Sequence, residues 1–214
     1  MLALIKREIE DNILFFIIAA IIAIVFTVIP IYSVMTYEME KPPIGIPMSM
    51  YGIFWLLFLF VPLICTAFGA TQMYADRSKK ISTFLATMAT TRKRILTAKI
   101  ITGLLWICVV IVPLAAADAI LLRVYPLIVP ADTSLLVKLF ITLFLICLAC
   151  YCLGLQMGWN TNKFFSILGS LAVTPILMSI IIVKGFGIET AAILLLLAIA
   201  STLRIWQKFM TTPL

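Results

Sequence analysis

The chain has 214 residues, of which 64% are hydrophobic and 12% charged, and its mean hydropathy is +1.21. A soluble domain carries about 25% charged residues, and a chain of this size has too much surface to hide so many apolar side chains from water. The composition therefore excludes a soluble globular domain. The net charge of +7 is interpreted as membrane topology, with no nucleic-acid partner.

The first twelve residues predict a short amphipathic helix. Leu2, Ile5 and Ile9 share one helical face, and the charged residues of this segment lie mostly elsewhere. A helix of this kind rests on a membrane surface with its apolar face toward lipid. The apolar run that follows is longer than the core of a signal peptide, so it is interpreted as a membrane span.

Six apolar runs of about 20 residues each are long enough to cross a bilayer as α-helices. They cover Ile13–Tyr32, Ile53–Gln72, Ile100–Leu122, Leu136–Met157, Phe164–Val183 and Ile188–Trp206. Twelve of the 16 basic residues fall on one side of these spans, and the positive-inside rule makes that side cytoplasmic. We therefore expect an all-α integral membrane protein. Residues 1–214 would form one six-span domain in the cell membrane (plasma or inner), with both termini cytoplasmic.

The segment 73–99, between the second and third spans, is the longest predicted cytoplasmic element. Ile81, Phe84, Leu85 and Met88 recur at the spacing of one helical face. Two interpretations follow from this pattern. The helix rests on anionic lipid headgroups, or its apolar face docks into a groove of a cytoplasmic partner.

The same segment resembles the cytoplasmic signature of ABC-2 type transporter permeases, the membrane subunits of a class of ATP-driven exporters. That family places a run of the form acidic–x–Gly–Thr–Leu–x–x–Leu–Leu–x–x–Pro–x–x–Arg–x6–Lys between its second and third spans. Here Thr83 stands for the Thr and Phe84 for the Leu, and Arg92 and Lys99 keep the Arg-to-Lys spacing. An amphipathic N-terminal helix and six spans are also features of the family.

The resemblance implies a permease subunit that pairs with a second permease, as a homodimer or heterodimer, around a substrate path. Separate ATPase subunits would bind a coupling helix from each permease, and ATP and Mg²⁺ would belong to them. The chain lacks the G-x-x-x-x-G-K-[ST] loop, so it is expected to bind no cofactor itself and to be no enzyme. The residues expected at the ATPase contact are Ser82, Thr83, Phe84, Leu85, Thr87, Met88 and Arg92.

Asp118 is an acidic side chain in the interior of a predicted span, the third. An ionisable group there is costly and points to a substrate path or a subunit interface, unless the carboxylate is hydrated at the membrane surface. Arg123 is its expected partner. The group Cys147, Cys150 and Cys152 resembles a metal-ligand spacing, but it is interpreted as packing within an apolar helix, so no metal site is expected.

The sequence also bears on two other classes of function. An intramembrane enzyme is disfavoured because the chain has no histidine, which serine and zinc proteases of the membrane require. A membrane scaffold or assembly protein that transports nothing stays open, and so does a permease of the haem-exporter type. The sequence does not identify a substrate.

Overall fold

The computed structural model describes residues 2–40, 48–78, 92–124, 133–158 and 163–211. Throughout this described part the chain is helical, with short connections and no strand. The helices are α1 (Leu2–Asp11), α2 (Ile13–Glu40), α3 (Met48–Ser78), α4 (Arg92–Val124), α5 (Thr133–Gly158), α6 (Lys163–Lys184) and α7 (Ile188–Thr211). Each of the six predicted spans lies within one of the helices α2 to α7.

The long apolar helices indicate a multi-pass membrane protein. Four stretches of the described helices are long and apolar enough to cross a bilayer: Phe58–Ala75, Lys93–Ile120, Val137–Gly158 and Ile188–Met210. The pair formed by α1 and α2, bent by 75°, makes a possible fifth. By this criterion the spans number four to five, and the count of six stays a prediction, as do the cytoplasmic termini.

The outer faces of the helices are apolar. Val112 on α4 and Leu196 on α7 have 61% and 64% of their surface exposed, and α2 carries a similar row of exposed isoleucine and valine residues. Water would penalise so much exposed apolar surface, whereas lipid tails do not. The exposed faces therefore support the membrane as the solvent of this fold.

Helix α5 lies at the centre of the bundle and packs closely on α3. Gly154 and Gly158 of α5 bring its backbone against Thr66 and Ala70 of α3. In the contacting pairs 66–154 and 70–158 the residue numbers of both helices increase together, so α3 and α5 run in the same direction. Helix α4, which lies between them in the sequence, runs in the opposite direction. The contact of α3 with α5 is the small-residue packing that membrane helices use where apolar burial alone cannot hold them together.

The bundle formed by the described helices has two ends. Contacts described below bring α1, the starts of α2 and α4, and the ends of α3, α5 and α7 to one end, which we call the α1 end. At the opposite end, α6 and α7 are joined by only three residues, 185–187. Gly185 has φ of 72°, a left-handed conformation that glycine adopts without strain, and its N–H donates to the Ile181 carbonyl at 2.8 Å. This turn leaves no room for a further helical hairpin between α6 and α7.

Candidate functional site

A buried ion pair joins α1 to α4. The Lys99 ammonium donates to both carboxylate oxygens of Glu8, at 2.9 and 3.1 Å. Only 1% of the Lys99 side chain and 13% of the Glu8 side chain are exposed. Removing two charges from water costs several kcal/mol per ion, which is recovered only when the pair is close and further hydrogen bonds complete it. The pair therefore fixes the position of α1 against the bundle.

Gln72 and Tyr151 extend this pair to α3 and α5. The Gln72 amide donates to the Glu8 carboxylate at 2.9 Å. The Tyr151 hydroxyl lies 2.7 Å from the Gln72 side-chain oxygen and 2.8 Å from the Lys99 carbonyl, so its single proton is shared between two acceptors. We call these four residues, Glu8, Gln72, Lys99 and Tyr151, the Lys99 network. It ties together α1, α3, α4 and α5.

Small and aromatic neighbours place the Tyr151 ring in this network. Gly103 of α4 lies directly against the ring, and a Cβ at that position would overlap the ring atoms. On another side the ring contacts Phe68, with centroids 5.8 Å apart. Phe68 in turn stacks on Trp106 at 5.8 Å. These packing contacts fix the Tyr151 ring so that its hydroxyl points toward Gln72 and Lys99.

Two more side chains bridge helices near the α1 end. The Trp106 indole N–H donates to the Phe15 carbonyl at 2.8 Å, which joins α4 to the first turn of α2. The Gln156 amide donates to the Ser201 carbonyl at 3.0 Å, which joins α5 to α7. Ser201 is only 4% exposed, and this bond is partly buried between the two helices. These bonds extend the polar ties from the Lys99 network to α2 and α7.

Most of the predicted ATPase-contact residues lie outside the described part of the chain. This applies to Ser82, Thr83, Phe84, Leu85, Thr87 and Met88, while Arg92 is the first residue of α4 and its side chain is not described. The segment that holds them, 79–91, runs from the end of α3 to the start of α4. Gln72 lies six residues before Ser78, the last residue of α3, and Lys99 lies seven residues after Arg92, the first residue of α4. The Lys99 network therefore lies at the base of the predicted coupling element.

Asp118 lies in the half of α4 that is remote from the α1 end. It is partly buried, and its Oδ2 atom is buried with no hydrogen-bond partner among the described residues. The side chain of Arg123, its predicted partner, is outside the described side chains. A buried carboxylate oxygen with no donor is costly in an apolar surrounding, which is the reason to treat Asp118 as a functional candidate.

The cysteines pack in the interior. Cys65, Cys147, Cys150 and Cys152 are buried in the interior of the bundle. Within the described residues, no group of three or more histidine, cysteine or acidic side chains is arranged to hold a metal ion.

Sequence reasoning missed the Lys99 network. Lys99 was assigned to a motif and to the topology count, and Glu8 only to the polar side of α1. One signal was present in the sequence: Gln72, Lys99 and Tyr151 are polar residues at or inside the ends of apolar runs, where polar groups require partners. Which residues are their partners does not follow from the sequence, because the partners are 52 to 91 residues apart.

Replacing Tyr151 by phenylalanine tests the hydroxyl's share in the network. The ring, and with it the contacts to Gly103 and Phe68, would stay. The Gln72 oxygen and the Lys99 carbonyl would lose a buried donor, which costs about 1–2 kcal/mol of unfolding free energy. Unfolding of the purified protein in mixed micelles measures this loss, and an unchanged transition would show that the hydroxyl stabilises nothing.

The Lys99 network connects helices, and the described residues contain no arrangement of side chains typical of a catalytic site. It joins the N-terminal helix to the two helices that flank 79–91 and to the central helix α5.

Comparison with known protein families, with curated protein sequences and with solved structures finds no significant match to this chain.

Proposed function

We propose that this chain is the membrane-spanning permease subunit of an ATP-driven exporter of the ABC-2 type. In this proposal residues 73–99 are the coupling element, which a separate ATPase subunit binds through segment 79–91 and Arg92, and ATP and Mg²⁺ stay on that partner. A second permease subunit completes the substrate path. The chain acts in the cell membrane, with α1 and segment 79–91 on the cytoplasmic side.

One observation carries the proposal: the two helices that flank segment 79–91 are joined to each other, to α1 and to α5 by the Lys99 network. A coupling element must pass a displacement to the spans without losing it in local bending. Gln72 near the end of α3 and Lys99 near the start of α4 are linked through Glu8 and Tyr151. A push on 79–91 would therefore move both helices and the central helix together, as rigid-body coupling requires.

The basic residues of the α1 end agree with this orientation. Lys93 and Arg94 at the start of α4 are exposed, as are Arg204 and Lys208 near the end of α7. Positive side chains collect on the cytoplasmic side of membrane proteins, where they also face anionic lipid. The same face would meet both the ATPase and the lipid headgroups.

Asp118 is the candidate for the substrate path in this proposal. Its buried oxygen, which has no partner among the side chains that the structure describes, lies toward the end of the bundle that is remote from the Lys99 network. A group that a substrate or a second subunit satisfies only during transport would show this lack of a partner in the isolated chain. The class of substrate is left open.

Aspartate substitutions at Phe84 and Leu85 test the proposal. The tagged chain would be purified from its native membrane, and an ATPase with a Walker motif would be identified by mass spectrometry and by hydrolysis activity. Placing a charge on the apolar face should reduce the copurified ATPase about tenfold or more, because a carboxylate cannot enter an apolar groove without a partner.

Ile188→Asp is the matched control for these variants. Ile188 is 87% exposed at the start of α7, at the end of the bundle opposite to α1, so the same chemical change lies away from the coupling element. It should leave the copurified ATPase unchanged. Absence of any ATPase from the wild-type preparation, or equal recovery with Phe84→Asp and Leu85→Asp, would contradict the permease and favour the scaffold.

A further inference from the structure

The Lys99 network is closed in a way that a single ion pair is not. Glu8 accepts from both Lys99 and Gln72, while Tyr151 bonds to both Gln72 and the Lys99 carbonyl. Glu8, Gln72 and Tyr151 each contact two other members through their side chains, whereas Lys99 contacts Glu8 through its ammonium and Tyr151 through its backbone carbonyl; the contacts cross four helices. Loss of the Glu8, Gln72 or Tyr151 side chain leaves two other members with at least one bond fewer, and loss of the Lys99 ammonium removes both of its bonds to Glu8.

Burial raises the free-energy cost of breaking any hydrogen bond in the Lys99 network. Lys99, Gln72 and Tyr151 are each about 1% exposed, so water cannot replace a bond that opens between them. Unmade hydrogen bonds cost most in such a setting, and networks of this type are stronger than their separate pairs. A partial opening, in which one helix leaves and the others stay, is therefore the least favourable arrangement.

The apolar contacts around the network reinforce this unity. Phe15, at the start of α2, lies 5.0 Å from Phe68 between ring centroids, and its carbonyl accepts the Trp106 bond. Phe68 contacts the Tyr151 ring as well. The first turn of α2, which follows directly on α1, is thus fixed to α3, α4 and α5 by the same residues that hold Tyr151.

We propose that the Lys99 network makes α1 and the adjoining parts of α3, α4 and α5 one cooperative unit, which opens and closes as a whole. Helix α1 is then a permanent part of the lever at the base of segment 79–91, and it does not detach by itself onto the lipid surface. The role as a lever rests on the proposed function, whereas the cooperativity is a property of this chain alone.

Hydrogen–deuterium exchange of the full chain in lipid nanodiscs, read by mass spectrometry, tests the proposal. The variant Glu8→Gln keeps the shape of the side chain and removes its charge. Peptides from residues 2–11, 69–78 and 92–103 should then exchange faster together, each by about tenfold, the factor expected when a buried charge-assisted hydrogen bond is weakened. Peptides from 188–200 of α7 should keep their rates.

Tyr151→Phe repeats the test with a substitution that lies outside α1. Its hydroxyl contacts Gln72 and Lys99 and has no bond to α1, yet a cooperative unit predicts faster exchange in residues 2–11 as well. Glu10→Gln is the control, because Glu10 is 64% exposed in a pair with Lys6 at 3.9 Å, and it should change no rate.

Two results would overturn the cooperative unit. In the first, Glu8→Gln accelerates exchange in α1 alone, which shows that α1 detaches by itself. In the second, Tyr151→Phe leaves α1 at its wild-type rate. The measurement uses no ATPase, so failure of the permease proposal leaves this outcome unaffected, and failure here leaves ATPase copurification to be judged separately.

Discussion

Replacing Glu8 by alanine is expected to lower the unfolding free energy by about 3–5 kcal/mol, the range for removing one partner of a buried ion pair. The reason is the burial of Lys99, whose side chain is 1% exposed. Without the carboxylate, the ammonium loses the two bonds that it donates to Glu8, and the Gln72 amide loses its acceptor. Equilibrium unfolding of the purified protein in mixed micelles would measure the loss.

The double variant Glu8→Ala, Lys99→Met separates the pair's net contribution from the cost of removing only one of its two charges. Methionine keeps most of the volume of the lysine stem and removes the ammonium, so much of the lost stability should return. Glu10→Ala is the exposed control on the same helix and should change stability by less than about 0.5 kcal/mol. A double variant as unstable as the sum of both single variants would show that the two charges do not act as a pair.

The positions of the helices followed from the sequence because they depend on local properties. Runs of about 20 apolar residues are strongly periodic signals, and six such runs coincide with α2 to α7. The short helix α1 also lies where the spacing of Leu2, Ile5 and Ile9 placed it. Its environment differs from face to face: Leu2 is 84% exposed, while Glu8 points into the bundle.

The arrangement of the helices did not follow from the sequence, because it depends on pairs of residues far apart along the chain. In the long helices α2 to α7 apolar residues occur on all faces, so hydrophobic periodicity does not identify the buried face when lipid is the solvent. Here α5 is central because Gly154 and Gly158 let α3 approach and because Tyr151 finds its partners on two other helices. The motif G-x-x-x-G at 154–158 was a readable signal of close packing, although it does not name α3 as the neighbour.

Gly154→Ala is the second variant with a large expected effect. An added Cβ would overlap the backbone of Thr66, at its carbonyl and its Cα, and backbone atoms cannot rotate aside as a flexible side chain does. The helices α3 and α5 would have to separate, which costs about 3 kcal/mol, the upper part of the range for overpacking. Because Tyr151 lies less than one turn away on α5, the separation should also lengthen the bonds of the Lys99 network. The same unfolding assay measures the loss.

Gly169→Ala provides the matched control, since it is the same substitution within helix α6. The nearest described atoms that a Cβ there would meet belong to the Met157 side chain, with the sulfur at 3.3 Å, and methionine can adjust by rotation. Alanine also favours helix over glycine by about 1 kcal/mol in water, so this variant should be neutral or slightly stabilising. Opposite signs for the two variants would show that the close approach of α3 and α5, rather than helix propensity, sets the need for glycine at 154. Equal effects would mean that α3 and α5 do not pack as closely as described, and the Lys99 network would then lose the packing that positions Tyr151.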